Sequence, residues 1–121
     1  MKHTLLKLVS SLIAVTILSL AVFGQGATAP LSGVVTDPSG AVVAGAAIVV
    51  KNNATSAESK AVTASNGTFS VPALDPGTYT VTISASGFKQ AVVNDVKLDA
   101  DTPGTVRVSL EIGSTNETIN I

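Results

Sequence analysis

The sequence predicts an all-β fold, a seven-stranded antiparallel Greek-key β-sandwich, and two observations carry that expectation. The first is alternation. From Thr78 onward Tyr79, Val81, Ile83 and Ala85 fall on one side and Thr80, Thr82, Ser84 and Ser86 on the other, as in a strand with one buried and one wet face. The second is punctuation. Asp37-Pro38-Ser39-Gly40, Asn66-Gly67, Asp75-Pro76-Gly77 and Asp101-Thr102-Pro103-Gly104 divide the chain into apolar segments at intervals of ~8–12 residues, the rhythm of a sandwich. No stretch beyond the N-terminal leader has a helical period.

The leader comes first. Lys2, His3 and Lys7 precede an apolar run from Leu8 to Phe23 and then small residues, the form of a secretory signal peptide over 1–29. Ala27-Thr28-Ala29 suits a peptidase, but Pro30 would follow that cut, so the boundary is expected anywhere from about residue 24 to residue 29. The alternative is a retained anchor, for which the run is shorter than the ~20 residues that comfortably cross a bilayer. The sandwich is expected over 30–113, with 114–121 as a C-terminal tail and no membrane span beyond the leader.

Within the sandwich, Leu31, Gly33 and Val35 share one face of a strand over Leu31–Thr36. Ala46, Ile48 and Val50 do the same over Ala46–Lys51, and the polar stretch Asn52–Ser59 reads as an exposed loop. Asn66-Gly67 tolerates positive φ at both central positions of a type I′ turn, which makes Ala61–Ala64 and Thr68–Val71 the arms of an expected hairpin. Asp75-Pro76-Gly77 reverses the chain into Thr78–Ser86. A less regular strand from Phe88 to about Leu98 offers Val96 and Leu98 to the core. Thr105–Ile112 sends Val106, Val108, Leu110 and Ile112 inward and Thr105, Arg107, Ser109 and Glu111 outward. Ile119 and Ile121 begin one more alternation.

Several function classes are set aside by what the chain lacks. It has no cysteine, and its one histidine, His3, lies in the leader, so the expected domain has no imidazole or thiol for a zinc site, a Ser-His-Asp triad or a Cys-His pair. No enzyme and no cofactor are expected, and no catalytic or metal-binding residue is assigned. Beyond the leader five basic side chains stand against eight acidic ones, a net charge of −3, which does not steer toward nucleic acid. Asp99 and Asp101, with Asn94 and Asp95 nearby, could offer oxygen ligands to calcium, although a solvated acidic loop explains them as well. Asp37 and Asp75 sit beside prolines, where a carboxylate hydrogen-bonds backbone amides of its own turn. Phe69 and Tyr79 are expected in the core and Phe88 slightly more exposed, so no aromatic platform for a sugar is visible, and Thr80, Thr82 and Ser84 read as the wet side of a sheet. Asn53, Asn66 and Asn116 have the sequon form without an expected glycan. Ligand-binding residues stay unassigned. A sheet edge or the Asn52–Ser59 loop is the expected surface for a partner.

Gly33-Val34-Val35-Thr36-Asp37, Gly45-Ala46-Ala47-Ile48, Gly67-Thr68-Phe69, Leu74-Asp75-Pro76-Gly77-Thr78-Tyr79-Thr80-Val81 and Gly87-Phe88 together closely resemble the carboxypeptidase regulatory-like domain, also described as carbohydrate-binding-like or transthyretin-like. The resemblance implies a prealbumin-like sandwich. It also implies a structural or binding role in the cell envelope, with a polysaccharide or an envelope protein as partner, in the periplasm, at the outer membrane or outside the cell. The chain is similar as well to collagen-adhesin B-type repeats, some of which form an internal Lys–Asn bond assisted by a glutamate. Leu31–Thr36 holds no lysine and the glutamate position four before Pro76 is Pro72, so no such crosslink is expected. The run Leu110–Gly113 with Thr115–Ile121 is similar to the passage from this module into the plug of TonB-dependent outer-membrane receptors. That makes a truncated or short receptor extension, serving uptake, the alternative reading.

Overall fold

The computed structural model describes residues 26–121, so the leader lies outside the described residues. Among the described residues eight strands form: β1 (Ala29–Thr36), β2 (Ala47–Asn52), β3 (Glu58–Val62), β4 (Thr68–Leu74), β5 (Gly77–Ser84), β6 (Gln90–Leu98), β7 (Gly104–Ser109) and β8 (Thr118–Asn120). A three-stranded sheet in the order β4-β1-β7 packs on a five-stranded sheet in the order β3-β2-β5-β6-β8. The expected all-β sandwich is present, with two differences. An eighth strand forms in the expected tail, and two pairings are parallel, β1 with β7 and β6 with β8. Alternation fixes which face a side chain takes. It carries no information about the direction of the neighbouring strand.

The core is aliphatic. Leu31, Val35, Ile48, Val50, Val81, Ile83, Leu98 and Leu110 are fully buried, and Phe69 and Tyr79 nearly so. Each fully buried aliphatic side chain contributes roughly 1.5–3 kcal/mol, and the ladders satisfy the backbone between them. The inward residues of β1, β2, β5 and β7 are the ones the alternation assigns.

The Asn66-Gly67 hairpin is overturned. β3 pairs with β2 in one sheet and β4 pairs with β1 in the other, so the turn is an arch between layers. Locally the Gly67 amide donates to the Ala64 carbonyl at 2.9 Å and the Ala64 amide to the Thr68 carbonyl at 2.8 Å. Gly67 has φ +74° while Asn66 keeps a negative φ, which is not the double positive of type I′. Tertiary contacts decide the outcome: the Gly67 carbonyl accepts from the Val35 amide at 2.9 Å, and a Cβ on Gly67 would lie 2.7 Å from Val42 Cβ. After one closed pair the two arms diverge into different sheets.

Three smaller corrections concern Ile112, β6 and the Asn52–Ser59 loop. Ile112 is exposed, because the chain leaves the three-stranded sheet after Ser109 and bridges from Ile112 to Phe88 on the other layer. Val96 turns inward opposite Tyr79 as expected but is only half-buried against the core, while the bulge at Asn94–Asp95 brings Ala91 and Val93, which the pattern does not assign, onto the same inward side. The Asn52–Ser59 loop is shorter than expected, since Glu58 and Ser59 already pair with Lys51 and Val50.

A second bulge guards an edge. Three steps on β4 between Val71 and Leu74 face two on β1, and Ala73 there has φ +58°. Pro72 and this kink interrupt a free edge that would otherwise invite another strand. An L-residue in the left-handed region is disfavoured by about 1–2 kcal/mol, part of which glycine returns through its looser unfolded state. Ala73→Gly is therefore expected to stabilise the domain by about 0.5–1 kcal/mol, and Ala73→Val to destabilise it, both read from urea midpoints at unchanged slope.

Candidate functional site

The even-numbered residues of β1 point away from the core, and register then assembles a face. Ser32 pairs with Ser70 on β4 and with Thr105 on β7, giving a row of three hydroxyls across the sheet. Val34 pairs with Thr68 and Arg107, and Thr36 with Ser109, giving the next two rows. Neighbouring strands lie ~4.8 Å apart, so the hydroxyls form a closely spaced grid on a rigid backbone. Two open depressions cover this grid and meet at Val34. One, of about 460 Å³, includes Ser32, Thr68, Ser70 and Thr105 together with Val62 and Ala64 beyond the β4 edge. The other, of about 290 Å³, includes Thr36, Arg107 and Ser109.

The polar groups of the face differ in availability. Thr68 Oγ1 donates to Asn66 Oδ1 at 2.6 Å, and Thr36 Oγ1 and Ser109 Oγ make long contacts to the carbonyls of Val108 and Asp37 at 3.5 and 3.4 Å. The hydroxyls of Ser32, Ser70 and Thr105 have no protein partner among the described residues. Nor does Arg107 have a carboxylate within 4.0 Å among them. Two of the other cations are matched: Lys89 Nζ lies 3.8 Å from Glu111 and 3.4 Å from Glu117, and Lys97 Nζ 4.0 Å from Asp99, while Lys51 and Lys60, on the five-stranded sheet, have no such partner among the described residues. Arg107, Thr105 and Ser109 are outward by sequence pattern, but their place beside Val34, Ser32 and Thr36 depends on the parallel pairing that the pattern does not show.

The acidic residues singled out by sequence do not converge. Asp37 follows the end of β1 and Asp75 the end of β4, and because these strands are antiparallel the two lie at opposite ends of the sheet. Asp37 closes its turn: Oδ1 accepts from the Ser39 hydroxyl at 2.6 Å and from the amides of Ser39 and Ala41 at 2.9 and 3.0 Å. The Ser39 hydroxyl above all, then these amides, hold its carboxyl below the ordinary value of 3.8. A depressed folded pKa contributes stability that is present above the unfolded value and lost as pH falls through the folded one. Asp37→Asn keeps the acceptor oxygen and removes the charge, so its unfolding midpoint is expected to fall less than the parent's between about pH 5 and pH 2 in parallel urea titrations.

The Asp75 backbone carbonyl accepts from Tyr79 Oη at 2.7 Å, and Tyr79 is buried with Phe69. Phe88 is half-buried against the core, and Phe69, although it lines the first depression, is only 3% exposed, so the hydroxyl face has no open aromatic platform. Asp99 and Asp101 flank the approach to β7, and among the described residues no group of three or more His, Cys, Asp or Glu side chains is placed to hold a metal ion. The Asn52 loop is closed on itself. Asn52 Oδ1 accepts from the amides of Ala54 and Thr55 at 2.9 and 3.1 Å, and Thr80 Oγ1 donates to Asn53 Oδ1 at 2.8 Å.

Solved structures share this architecture. The Bacillus anthracis TIE protein superposes with a TM-score of 0.61 at 17% identity, over 71% of this chain and 17% of that one. A Bacteroides uniformis protein whose name suggests carbohydrate binding gives 0.53 at 20% identity, over 72% and 42%. Hydroxyquinol 1,2-dioxygenase from Pseudomonas putida gives 0.55 at 14% identity, over 74% and 58%. The chain thus spans less than two thirds of each of these proteins, and at such identities the likeness is one of fold. No curated protein matches the sequence. The model of the carboxypeptidase regulatory-like domain matches residues 30–111, most of the length of the chain, which therefore belongs to that family.

Proposed function

We propose that this chain is an exported, non-catalytic recognition module of the cell envelope, and that it binds polysaccharide on the outer face of the three-stranded sheet. The carrying observation is the convergence of both depressions on one rigid grid that holds the unpartnered Ser32, Ser70 and Thr105 hydroxyls. Hydroxyls that donate and accept suit a polyol, and placement on strands fixes them better than loops would. Family membership supports a non-catalytic role, and the leader supports export. Ser32→Tyr, which puts a ring in the middle of the free row, is expected to abolish retardation of the purified protein in native gels containing polysaccharide while leaving its circular dichroism unchanged. Equal retardation of parent and variant would remove this face from consideration.

A second reading rests on residues 110–121. Their similarity to the receptor passage favours a module that precedes a TonB-dependent plug. A reading frame that continues past Ile121 into a plug and barrel would support it.

A further inference from the structure

We propose that the polymer recognised is a carboxylated one, a polyuronate, and that Arg107 is the group that selects it; this rests on the outer face being the binding surface. Arg107 is the single charged side chain on the grid, paired across β1 to Val34 and thus one row from the free hydroxyls of Ser32, Ser70 and Thr105. A two-residue step along a strand is ~6.6 Å. A uronate residue presents a carboxylate and ring hydroxyls at comparable separation, so one sugar can engage the guanidinium and the hydroxyl row together.

Two features make the cation selective. Residues 30–121 carry a net charge of −3, so the domain as a whole repels polyanions and only a local positive site can hold one. Lys89 and Lys97 are matched by acids, and Lys51 and Lys60, free of such partners like Arg107, stand on the other sheet, so Arg107 is the one cation without a carboxylate within 4.0 Å on the hydroxyl grid among the described residues. Its planar fork fits a carboxylate by two parallel hydrogen bonds, which are shorter and stronger than neutral ones. Phe69, the aromatic residue lining the depressions, is buried, so a neutral glucan has neither an open ring to stack on nor a charged contact to draw on. Each contact is weak in water, so measurable affinity comes from several modules or several sugars along one polymer.

The test is affinity electrophoresis and calorimetry of the purified full chain with polygalacturonate, dextran and dextran sulfate, comparing Arg107→Gln with Lys60→Gln, a variant of equal net charge. Arg107→Gln is expected to bind polygalacturonate roughly ten- to a hundredfold more weakly than the parent, Lys60→Gln like the parent, and dextran not at all. Circular dichroism of each variant verifies the fold. Equal losses in the two variants, or dextran sulfate bound as tightly as polygalacturonate, would overturn the assignment in favour of a general charge effect. Dextran binding without polygalacturonate binding would overturn it while sparing the outer face as a saccharide site. No binding to any of the three would remove both.

Discussion

Gly33→Ala is expected to destabilise the domain by about 3 kcal/mol, lowering the melting temperature by roughly 12–24 °C for a domain of this size. Gly33 faces inward at the centre of β1, paired with Phe69 on one side and Val106 on the other. The space a Cβ would occupy is taken by the edge of the Phe69 ring, and the carbonyl oxygen of Val106 lies 2.5 Å from it. The ring could swing aside, but it is 3% exposed and would surrender its burial. The carbonyl belongs to the neighbouring strand and can withdraw only by loosening β1 from β7. Phe69→Leu in the Gly33→Ala background tests which obstacle dominates. If the ring does, the double variant is less destabilised than the two single effects combined, by about 0.5–3 kcal/mol. Strict additivity would mean that the Val106 carbonyl sets the penalty and that Phe69 merely lies nearby.

Gly33 also shows what the sequence discloses and what it withholds. Its inward parity follows from Leu31 and Val35, and the same counting assigns the buried residues of β2, β5 and the body of β7. That a phenylalanine from β4 fills the missing side chain is a property of register, which no local pattern encodes. Asn66-Gly67 makes the point from the other direction. Its local chemistry permits a hairpin and an arch equally, and the choice falls to the Val35 amide and the Val42 side chain, both distant in sequence. The bulge at Asn94–Asp95 resets parity within β6, so Ala91 is buried unannounced, and the change of layer after Ser109 brings Ile112 into solvent. Of the candidate site, the outward direction of Thr105, Arg107 and Ser109 was legible. Their neighbours were not, because β1 and β7 stand at opposite ends of the chain and pair in parallel. The lack of cysteine, and of histidine beyond the leader, was legible at once, being a matter of composition.

The other large effect is expected at Thr63, the one polar side chain buried among the described residues at 4% exposure, where alternation alone gives no sign of its role. Just beyond β3, its Oγ1 accepts from the Ala46 amide at 2.8 Å and donates to the Val43 carbonyl at 2.7 Å. Its own amide donates to the Ala46 carbonyl at 3.0 Å, and its carbonyl accepts from the Gly45 amide at 3.0 Å. Four hydrogen bonds from one residue thus fasten the segment entering β2 to the exit of β3, next to the arch that carries the chain to the other sheet. Valine matches threonine in shape and removes the hydroxyl, leaving one amide and one carbonyl without partners in a place that water reaches poorly. Each such group costs about 1–3 kcal/mol, so Thr63→Val is expected to destabilise by roughly 2–5 kcal/mol despite its greater hydrophobicity. Thr63→Ser retains both hydrogen bonds and gives up one methyl group, a loss of about 1 kcal/mol. Urea unfolding of the two variants separates the causes: if serine proves the worse replacement, packing holds this corner together, and if valine does, the hydroxyl is its fastening.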